Sequence, residues 1–207
     1  MACCCACCRA AAELNRNLMM KTTLHLCALT ATLLTGLPAF AQQKLLPAQS
    51  ELGFVAKQMG VPLTGHFKKF DAQVAFDASK LATSKVAFTV DMGSATLGSA
   101  EMDSELPKAP WFNAPKFPQA TFTSATFKAL GGGKYEVAGK LSIKGQTQDV
   151  TVPLTMAQTG PTTVATGVLP IKRLAFKIGD GDWADTSMVA DEVQVKFKLS
   201  LSGIGKL

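Results

Sequence analysis

Cysteine, histidine and long apolar runs are scarce in this 207-residue sequence, and each shortage excludes a class of function. All six cysteines lie within the first 27 residues, and beyond residue 41 only one histidine, His66, remains. Residues 42–207 therefore can form no disulfide, no catalytic thiol and no cysteine metal site. No Gly-x-Ser-x-Gly nucleophile motif occurs either. We therefore expect a protein that is not an enzyme and that uses neither a cofactor nor a metal.

One acidic loop needs separate consideration as a metal site. The segment "GDGDWAD", residues 179–185, begins like a calcium loop, with Asp180 and Asp182 at the first and third ligand positions. Ala184 takes the fifth position, and no bidentate glutamate follows at the right distance. We therefore predict a solvated turn here and no calcium site.

Two other motifs have simple structural explanations. The segment "GGGK", residues 131–134, lacks the spacing of a phosphate-binding loop and is predicted to be a hairpin turn. His66 is expected to be a surface or hydrogen-bonded strand residue, because no nucleophile or metal-ligand set can be assembled around it from spacing. Carboxylates such as Asp91, Asp103 and Asp185 have no spacing that favours acid–base catalysis.

The first 41 residues are predicted to be a leader that is removed from the mature protein. Translation would start at Met19 or Met20, followed by Lys21 and an apolar run that ends near residue 37. An Ala-x-Ala cleavage site, residues 39–41, precedes Gln42. We expect secretion to the periplasm and a single mature domain, residues 42–207.

The charge of residues 42–207 is only mildly basic. Without the three basic residues and one acidic residue of the leader, the 21 basic and 15 acidic side chains fall to 18 and 14, a net charge of +4. Lys68–Lys69 is the only pair of adjacent lysines. Nucleic-acid binding requires a clustered basic face, so we do not expect a nucleic-acid partner. Weak peripheral contact with anionic lipid headgroups is compatible with this charge.

Apolar and polar residues alternate with a period of two along most of the mature chain. This pattern predicts antiparallel strands with one buried face. The alternating segments cover residues 51–57, 74–77, 85–92, 135–144, 149–154 and 193–201, with a further strand starting at Phe122. Only residues 99–106 resemble a helix, with Ser99 as its cap. The pattern predicts an all-β domain and leaves a barrel and a sandwich as alternatives.

The segment "PKAPWFNAPKFPQATF", residues 107–122, combines four prolines with four large aromatic residues. Prolines prevent a long helix or a central strand here, so we predict a rigid connector. Trp111, Phe112 and Phe117 are expected to cover apolar interior from water. Two interpretations stay open: these rings plug the end of a packed core, or they form a rim that contacts a ligand.

Four segments resemble motifs of the YceI-like family in the family's order, and together they span about residues 49–201. The segments are "SELGFVAKQMGVPLTGHFKKFDAQVAFD" (50–77), "MDSELPKAPWFNAPKFPQATFTS" (102–124), "VAGKLSIKGQTQDVTVPL" (137–154) and "IKRLAFKIG" (171–179). One departure from the family pattern is Lys177, which stands where the family usually has glycine.

This resemblance implies an antiparallel, lipocalin-like β-barrel of about eight strands with one short helix. It also implies a periplasmic carrier whose elongated apolar interior holds a long isoprenoid, quinone-type or fatty chain. Whether the chain forms a homodimer stays open. The alternation and the resemblance together place these residues at the ligand: Phe54, Phe67, Phe76, Phe88, Val90, Trp111, Phe112, Phe122, Leu141, Ile143, Phe176, Val195 and Phe197.

Two alternatives to a carrier follow from the same sequence. The first is a barrel enzyme that acts on a lipid or quinone, with His66 or a carboxylate as the base. The second is a structural or interaction domain without a ligand, whose barrel is filled by its own Phe and Leu side chains. The second alternative predicts a closed core, whereas a carrier requires an open cavity.

Overall fold

The computed structural model describes residues 43–207, and the predicted leader lies outside the described residues. Within this range eleven strands pair antiparallel in one sheet. Their bounds are β1 Lys44–Leu45, β2 Glu51–Gln58, β3 Val61–Phe67, β4 Phe70–Ala75, β5 Lys85–Asp91, β6 Ala95–Thr96, β7 Gln119–Gly131, β8 Lys134–Ile143, β9 Gln146–Thr159, β10 Thr162–Lys172 and β11 Glu192–Ser202. None of the helices in residues 43–207 has the length and apolar character needed to cross a membrane.

The sheet curls into a barrel because its two ends are joined by a very short connection. Its strand order is β4-β5-β7-β8-β9-β10-β11-β2-β3-β6, and β1 adds to β11. β4 is the first strand of this order and β3 is next to last, beside the two-residue strand β6, but only Lys68 and Lys69 connect β3 to β4. The connection brings the two ends together at a place that we call the seam. The prediction of an all-β, antiparallel barrel is therefore confirmed.

The predicted alternating segments all fall on strands or at strand ends, but four strands have no counterpart in the prediction: the two-residue strands β1 and β6 and the longer strands β3 and β10. β3 contains Pro62 and Gly65, and β10 contains Gly167 and Pro170. Glycine and proline are depleted in strands, so they hide the period of two. Three predicted segments extend too far. The segment 85–92 passes the end of β5 at Asp91, where a short 3₁₀ helix, Met92–Ser94, begins, and the segments 74–77 and 135–144 pass the ends of β4 at Ala75 and β8 at Ile143.

Among residues 43–207 there is one α-helix, α1, which spans Ala100–Glu105, within the predicted segment. Ser99 occupies the N-cap position, but its side chain makes no capping hydrogen bond. The helix is instead fixed by Asp103, whose carboxylate accepts hydrogen bonds from the Thr96 hydroxyl and the Leu97 N–H, both at 2.6 Å. The two bonds lower the pKa of Asp103 below its ordinary value, and the bond from the Thr96 hydroxyl has the larger effect.

The barrel interior is divided into two apolar clusters at opposite ends. One cluster, which we call the cavity half, includes Leu52, Met92, Val137, Leu169 and Phe176. The other, which we call the packed half, consists of Leu45, Ala72, Phe76, Tyr135, Met156, Ala165, Leu201 and Ile204. The first half contains an apolar cavity, whereas side chains fill the second.

Candidate functional site

An apolar cavity of about 250 Å³ occupies one half of the barrel. Strands β2, β5, β7, β8, β9, β10 and β11 all contribute to its wall. Every side chain on the wall is apolar except that of Arg173. Such a lining matches the chemistry of a hydrocarbon chain, because ligand sites bind apolar groups mainly by removing their surface from water.

The exposure of side chains along β11 marks the extent of the cavity. Val193, Val195, Phe197 and Leu199 point inward but are only half-buried, because they face the cavity. Further along the strand, Leu201 is 5% exposed and belongs to the packed half. The same alternation therefore continues through both halves, and the cavity ends between residues 199 and 201.

Glycines on neighbouring strands help to keep the cavity open. A methyl group added at Gly167 would lie 2.4 Å from the Phe197 ring, and one at Gly65 would lie 2.3 Å from the Phe54 ring. The two rings therefore lie against a backbone that has no side chain at that position. Because each ring fills the space above a glycine, it lies along the wall instead of projecting across the cavity.

The proline- and aromatic-rich connector forms part of the roof of the cavity. Trp111 and Phe112 both lie on the cavity lining, whereas Phe117 packs against the β8–β9 turn at Gly145. The Trp111 ring lies 5.3 Å from the ring of Trp183, which belongs to the 177–191 loop. Of the two interpretations of this connector, the geometry favours the rim for Trp111 and Phe112 and the plug for Phe117.

Arg173 holds the second part of the roof. Its side chain is 1% exposed, and all five of its N–H donors are directed at backbone carbonyls. The acceptors are the carbonyls of Ile178, Gly179, Trp183, Val189 and Ala190, at 2.6–3.1 Å. Burial lowers the pKa of Arg173, and nearby Asp191 opposes this shift. Since its donors are all used, the guanidinium fixes the loop and has no hydrogen left for a ligand.

A second buried cation, Lys144, joins the two parts of the roof. Its ammonium donates to the carbonyls of Pro110 at 3.0 Å and Lys177 at 2.5 Å, and Asp180 lies 3.4 Å away. Lys144 has φ 48°, next to Gly145 with φ 74°, as in the tight turns that connect hairpin strands. Lys177 likewise has φ 55°, which explains the glycine of the family at that position.

The floor of the cavity is aromatic. Phe127 lines the cavity, and its ring lies 5.8 Å from the ring of Phe76. Phe76 also meets Tyr135 edge-on at 5.5 Å. Phe76 is 3% exposed and Tyr135 7%, so they fill the space below Phe127 completely.

Eleven of the thirteen predicted ligand residues lie on the cavity wall. They are Phe54, Phe67, Phe88, Val90, Trp111, Phe112, Phe122, Leu141, Ile143, Val195 and Phe197. The structure places the other two elsewhere: Phe76 lies below the floor, and Phe176 is buried in the core of the cavity half. Contact between these residues and a ligand stays a prediction.

Sequence reasoning missed the contributions of β10 and of the 177–191 loop, which forms the second part of the roof. Leu169 and Ile171 line the cavity from β10, which contains Pro170 between them. Their spacing of two residues was the available signal. Ile178 and Val189 reach the cavity from an irregular loop, and no sequence period could have indicated them.

The motifs considered for catalysis and metal binding lie outside the cavity. His66 is exposed on β3. The 179–185 loop is more than a solvated turn, since the carbonyls of Gly179 and Trp183 accept hydrogen bonds from Arg173. Within residues 43–207, no group of three or more His, Cys, Asp and Glu side chains is arranged to hold a metal ion.

The fold and the cavity together define an antiparallel β-barrel with an apolar interior site. Comparison with known proteins gives the family: the YceI-like domain matches residues 44–201, which is most of the chain. The protein therefore belongs to the YceI-like family, and the resemblance inferred from its motifs is confirmed.

The chain is also similar to two proteins in sequence and shares its fold with a third. The crystal structure of BcnA from Burkholderia cenocepacia is 50% identical, with a TM-score of 0.73 over 75% of this chain and 98% of that one. A UPF0312 protein of Azotobacter vinelandii is 33% identical over 65% of this chain and 72% of its own. A polyisoprenoid binding domain from Saccharophagus degradans shares the fold, with a TM-score of 0.64 at 16% identity over 78% of this chain and 98% of that one.

Proposed function

We propose that this protein is a periplasmic, non-enzymatic carrier that binds the apolar chain of a lipid inside its barrel. The observation that carries the proposal is the 250 Å³ cavity, whose wall is apolar except for an arginine that has no free donor. A cavity of this kind selects a ligand by its apolar chain. The polyisoprenoid named for the Saccharophagus neighbour makes an isoprenoid or quinone-type chain our first choice, ahead of a fatty chain.

Burial of a hydrocarbon chain provides enough free energy for such binding. Each buried methylene contributes about 0.8 kcal/mol, so ten of them contribute roughly 8 kcal/mol before the entropic costs of binding. Polar contacts inside the cavity are therefore not required for useful affinity.

The composition of the wall favours a carrier over a lipid-modifying enzyme. General acid–base catalysis needs a group that can transfer a proton at the reacting atom. Arg173 is the only ionisable side chain on the wall, and arginine does not lose its proton in proteins. The open cavity likewise favours a carrier over a domain filled by its own side chains.

Native mass spectrometry of gently purified protein tests the proposal. We expect a co-purifying lipid and, after delipidation, binding of geranylgeraniol in competition with the fluorescent probe 1-aminoanthracene. Cell fractionation should find the protein in the periplasm, and its mass should be that of a chain whose first residue is Gln42. Protein without lipid that also fails to bind geranylgeraniol would contradict the carrier function, and a cytoplasmic, uncleaved chain would contradict the location.

A further inference from the structure

A basic groove of about 990 Å³ runs over the outer surface of the barrel beside the seam. Its lining includes four lysines and one histidine: Lys68, Lys69, Lys196, Lys198 and His66. Glu51 is the one acidic side chain on the lining. In the part of the chain that the structure describes, none of the four lysines lies within 4.0 Å of a carboxylate. The groove therefore has an excess of unpaired positive charge.

Strand register explains why these charges converge although they are far apart in sequence. Lys196 on β11 pairs with Gly53 on β2, and Gly53 pairs in turn with His66 on β3. Gly53 has no side chain, and the His66 ring lies close to it, since a Cβ at Gly53 would be 3.7 Å from His66 Nδ1. Lys68 and Lys69 follow β3 directly and bring two more charges to the same groove.

The groove lies at a thin and discontinuous part of the barrel wall. Four residues line both the groove and the cavity: Leu52, Phe54, Phe67 and Phe197. The ladder between β2 and β3 ends at Gly53, and β4 pairs only with β5 among the described strands. No hydrogen-bonded ladder of residues 43–207 therefore closes the wall between β2 and β4, and the shared side chains separate the groove from the cavity there.

From these observations we propose that the groove binds the anionic head of an amphiphile whose apolar chain lies in the cavity. The ligand class is a single-chain lipid that ends in a phosphate or a carboxylate. Ammonium groups act as point charges toward such oxygens, and four of them around one groove attract an anion more strongly than one does. This inference rests on the proposed carrier function and adds the chemistry of the headgroup.

Two probes with the same chain and different heads test the inference. Farnesol and farnesyl phosphate share a fifteen-carbon chain, so any difference in affinity reports on the head. At low ionic strength we expect farnesyl phosphate to bind about tenfold more tightly than farnesol, and this advantage to shrink at high salt. In the double variant Lys196→Gln/Lys198→Gln, the advantage should fall severalfold, while the affinity for farnesol stays unchanged.

A matched control removes the same charge elsewhere. Lys134 and Lys172 are exposed, lie outside the groove and form no ion pair within the described residues. The double variant Lys134→Gln/Lys172→Gln should keep the full advantage of farnesyl phosphate. Thermal melts of both double variants should match that of the parent, because all four side chains are exposed.

Several outcomes would overturn the headgroup site. Equal affinity for both probes in the parent, or an equal loss of the advantage in both double variants, would remove its basis. Inorganic phosphate that competes with farnesyl phosphate at similar concentrations would indicate a site for free phosphate. If Lys196→Gln/Lys198→Gln loses binding to phosphatidylglycerol vesicles but keeps its affinity for farnesyl phosphate, the groove is a membrane contact instead. Failure to bind farnesol as well would contradict the carrier function itself.

Discussion

The two halves of the barrel interior share strands β8, β9, β10 and β11 but reach opposite states of packing. In the cavity half, the rings of Phe54 and Phe197 lie over glycines and leave the centre open. In the packed half, the ring of Phe76 is only 3% exposed and lies 5.8 Å from the Phe127 ring and 5.5 Å from the Tyr135 ring. Alternation therefore determines which side chains point inward, whereas the residues on neighbouring strands determine whether those side chains meet.

The two ends of the barrel are also closed by different interactions. The packed half is sealed by apolar contacts of Leu45, Phe76 and Ile204. The roof of the cavity half is held by hydrogen bonds from Arg173 and Lys144 to backbone carbonyls. An empty space provides no partner atoms for a lid, so apolar packing alone would hold a roof poorly. Directed hydrogen bonds fix the roof without filling the space beneath it.

The largest effect is expected for truncation of the floor. Phe76→Ala removes a ring that is 3% exposed and surrounded by other side chains, so it should lower the free energy of unfolding by about 3–5 kcal/mol. Phe88→Ala should cost clearly less, because the Phe88 ring already faces the cavity on one side. Denaturant melts of both variants measure the difference. Equal losses would mean that the two halves are packed alike.

A smaller effect is expected for the polar roof. Lys144→Met keeps most of the side-chain volume and the same positive φ, but it removes the donor from the carbonyls of Pro110 and Lys177. We expect a loss of about 1–3 kcal/mol. Hydrogen exchange should also accelerate at the Gly179 N–H, which donates to the Pro110 carbonyl across the roof.

The control for this variant is a lysine in an exposed ion pair. Lys140 contacts Asp149 at 2.9 Å on the outer surface, and its side chain is 68% exposed. Lys140→Met should therefore cost under about 1 kcal/mol and leave exchange at Gly179 unchanged. If Lys140→Met and Lys144→Met behave alike, the buried ammonium does not hold the roof.

Enlarging a side chain, instead of truncating it, should also affect the two halves differently. Phe88→Trp adds volume to existing space, so its stability should change by less than about 1.5 kcal/mol while geranylgeraniol binding is lost. Phe76→Trp enters a filled region and should cost roughly 1–3 kcal/mol. The measurements are a denaturant melt and the 1-aminoanthracene competition assay. Full geranylgeraniol binding by stable Phe88→Trp would place the ligand elsewhere.

Local alternation predicted the strands and most of the wall residues, whereas the choice of a barrel over a sandwich came from the resemblance to the YceI-like family. The four apolar residues 193, 195, 197 and 199 on β11 were recognisable from spacing alone. The division of the interior was not recognisable, because it depends on cross-strand neighbours such as Gly167 beside Phe197. The same limit explains why Phe76 was predicted to contact the ligand. Alternation correctly places its side chain inside the barrel, but the rings of Phe127 and Tyr135 lie against it there.

The part of the roof that the 177–191 loop forms and the basic groove could not be predicted for a related reason. Arg173 reaches carbonyls between residues 178 and 190, and irregular loops carry no sequence period. The lysines of the groove look dispersed along the chain, and only strand register brings Lys196 beside Gly53 and His66. Contacts of this kind become visible once the register of the sheet is known.

The smallest effect on stability is expected at α1. Because this helix lies outside both halves, a change there tests local stability without altering the packing of the barrel interior. Hydrogen bonds from the Thr96 hydroxyl and the Leu97 N–H hold the pKa of Asp103 below its unfolded value of 3.8. Because the folded pKa is the lower one, the stabilisation is fully present above about pH 4 and is lost as the pH falls through the folded pKa.

Asp103→Asn should therefore lower the melting temperature slightly near pH 6 and reduce its decline below pH 4. Asp71→Asn, an exposed change on β4, should retain the decline of the parent. A decline in Asp103→Asn as steep as that of the parent would show that the carboxylate does not fix the helix.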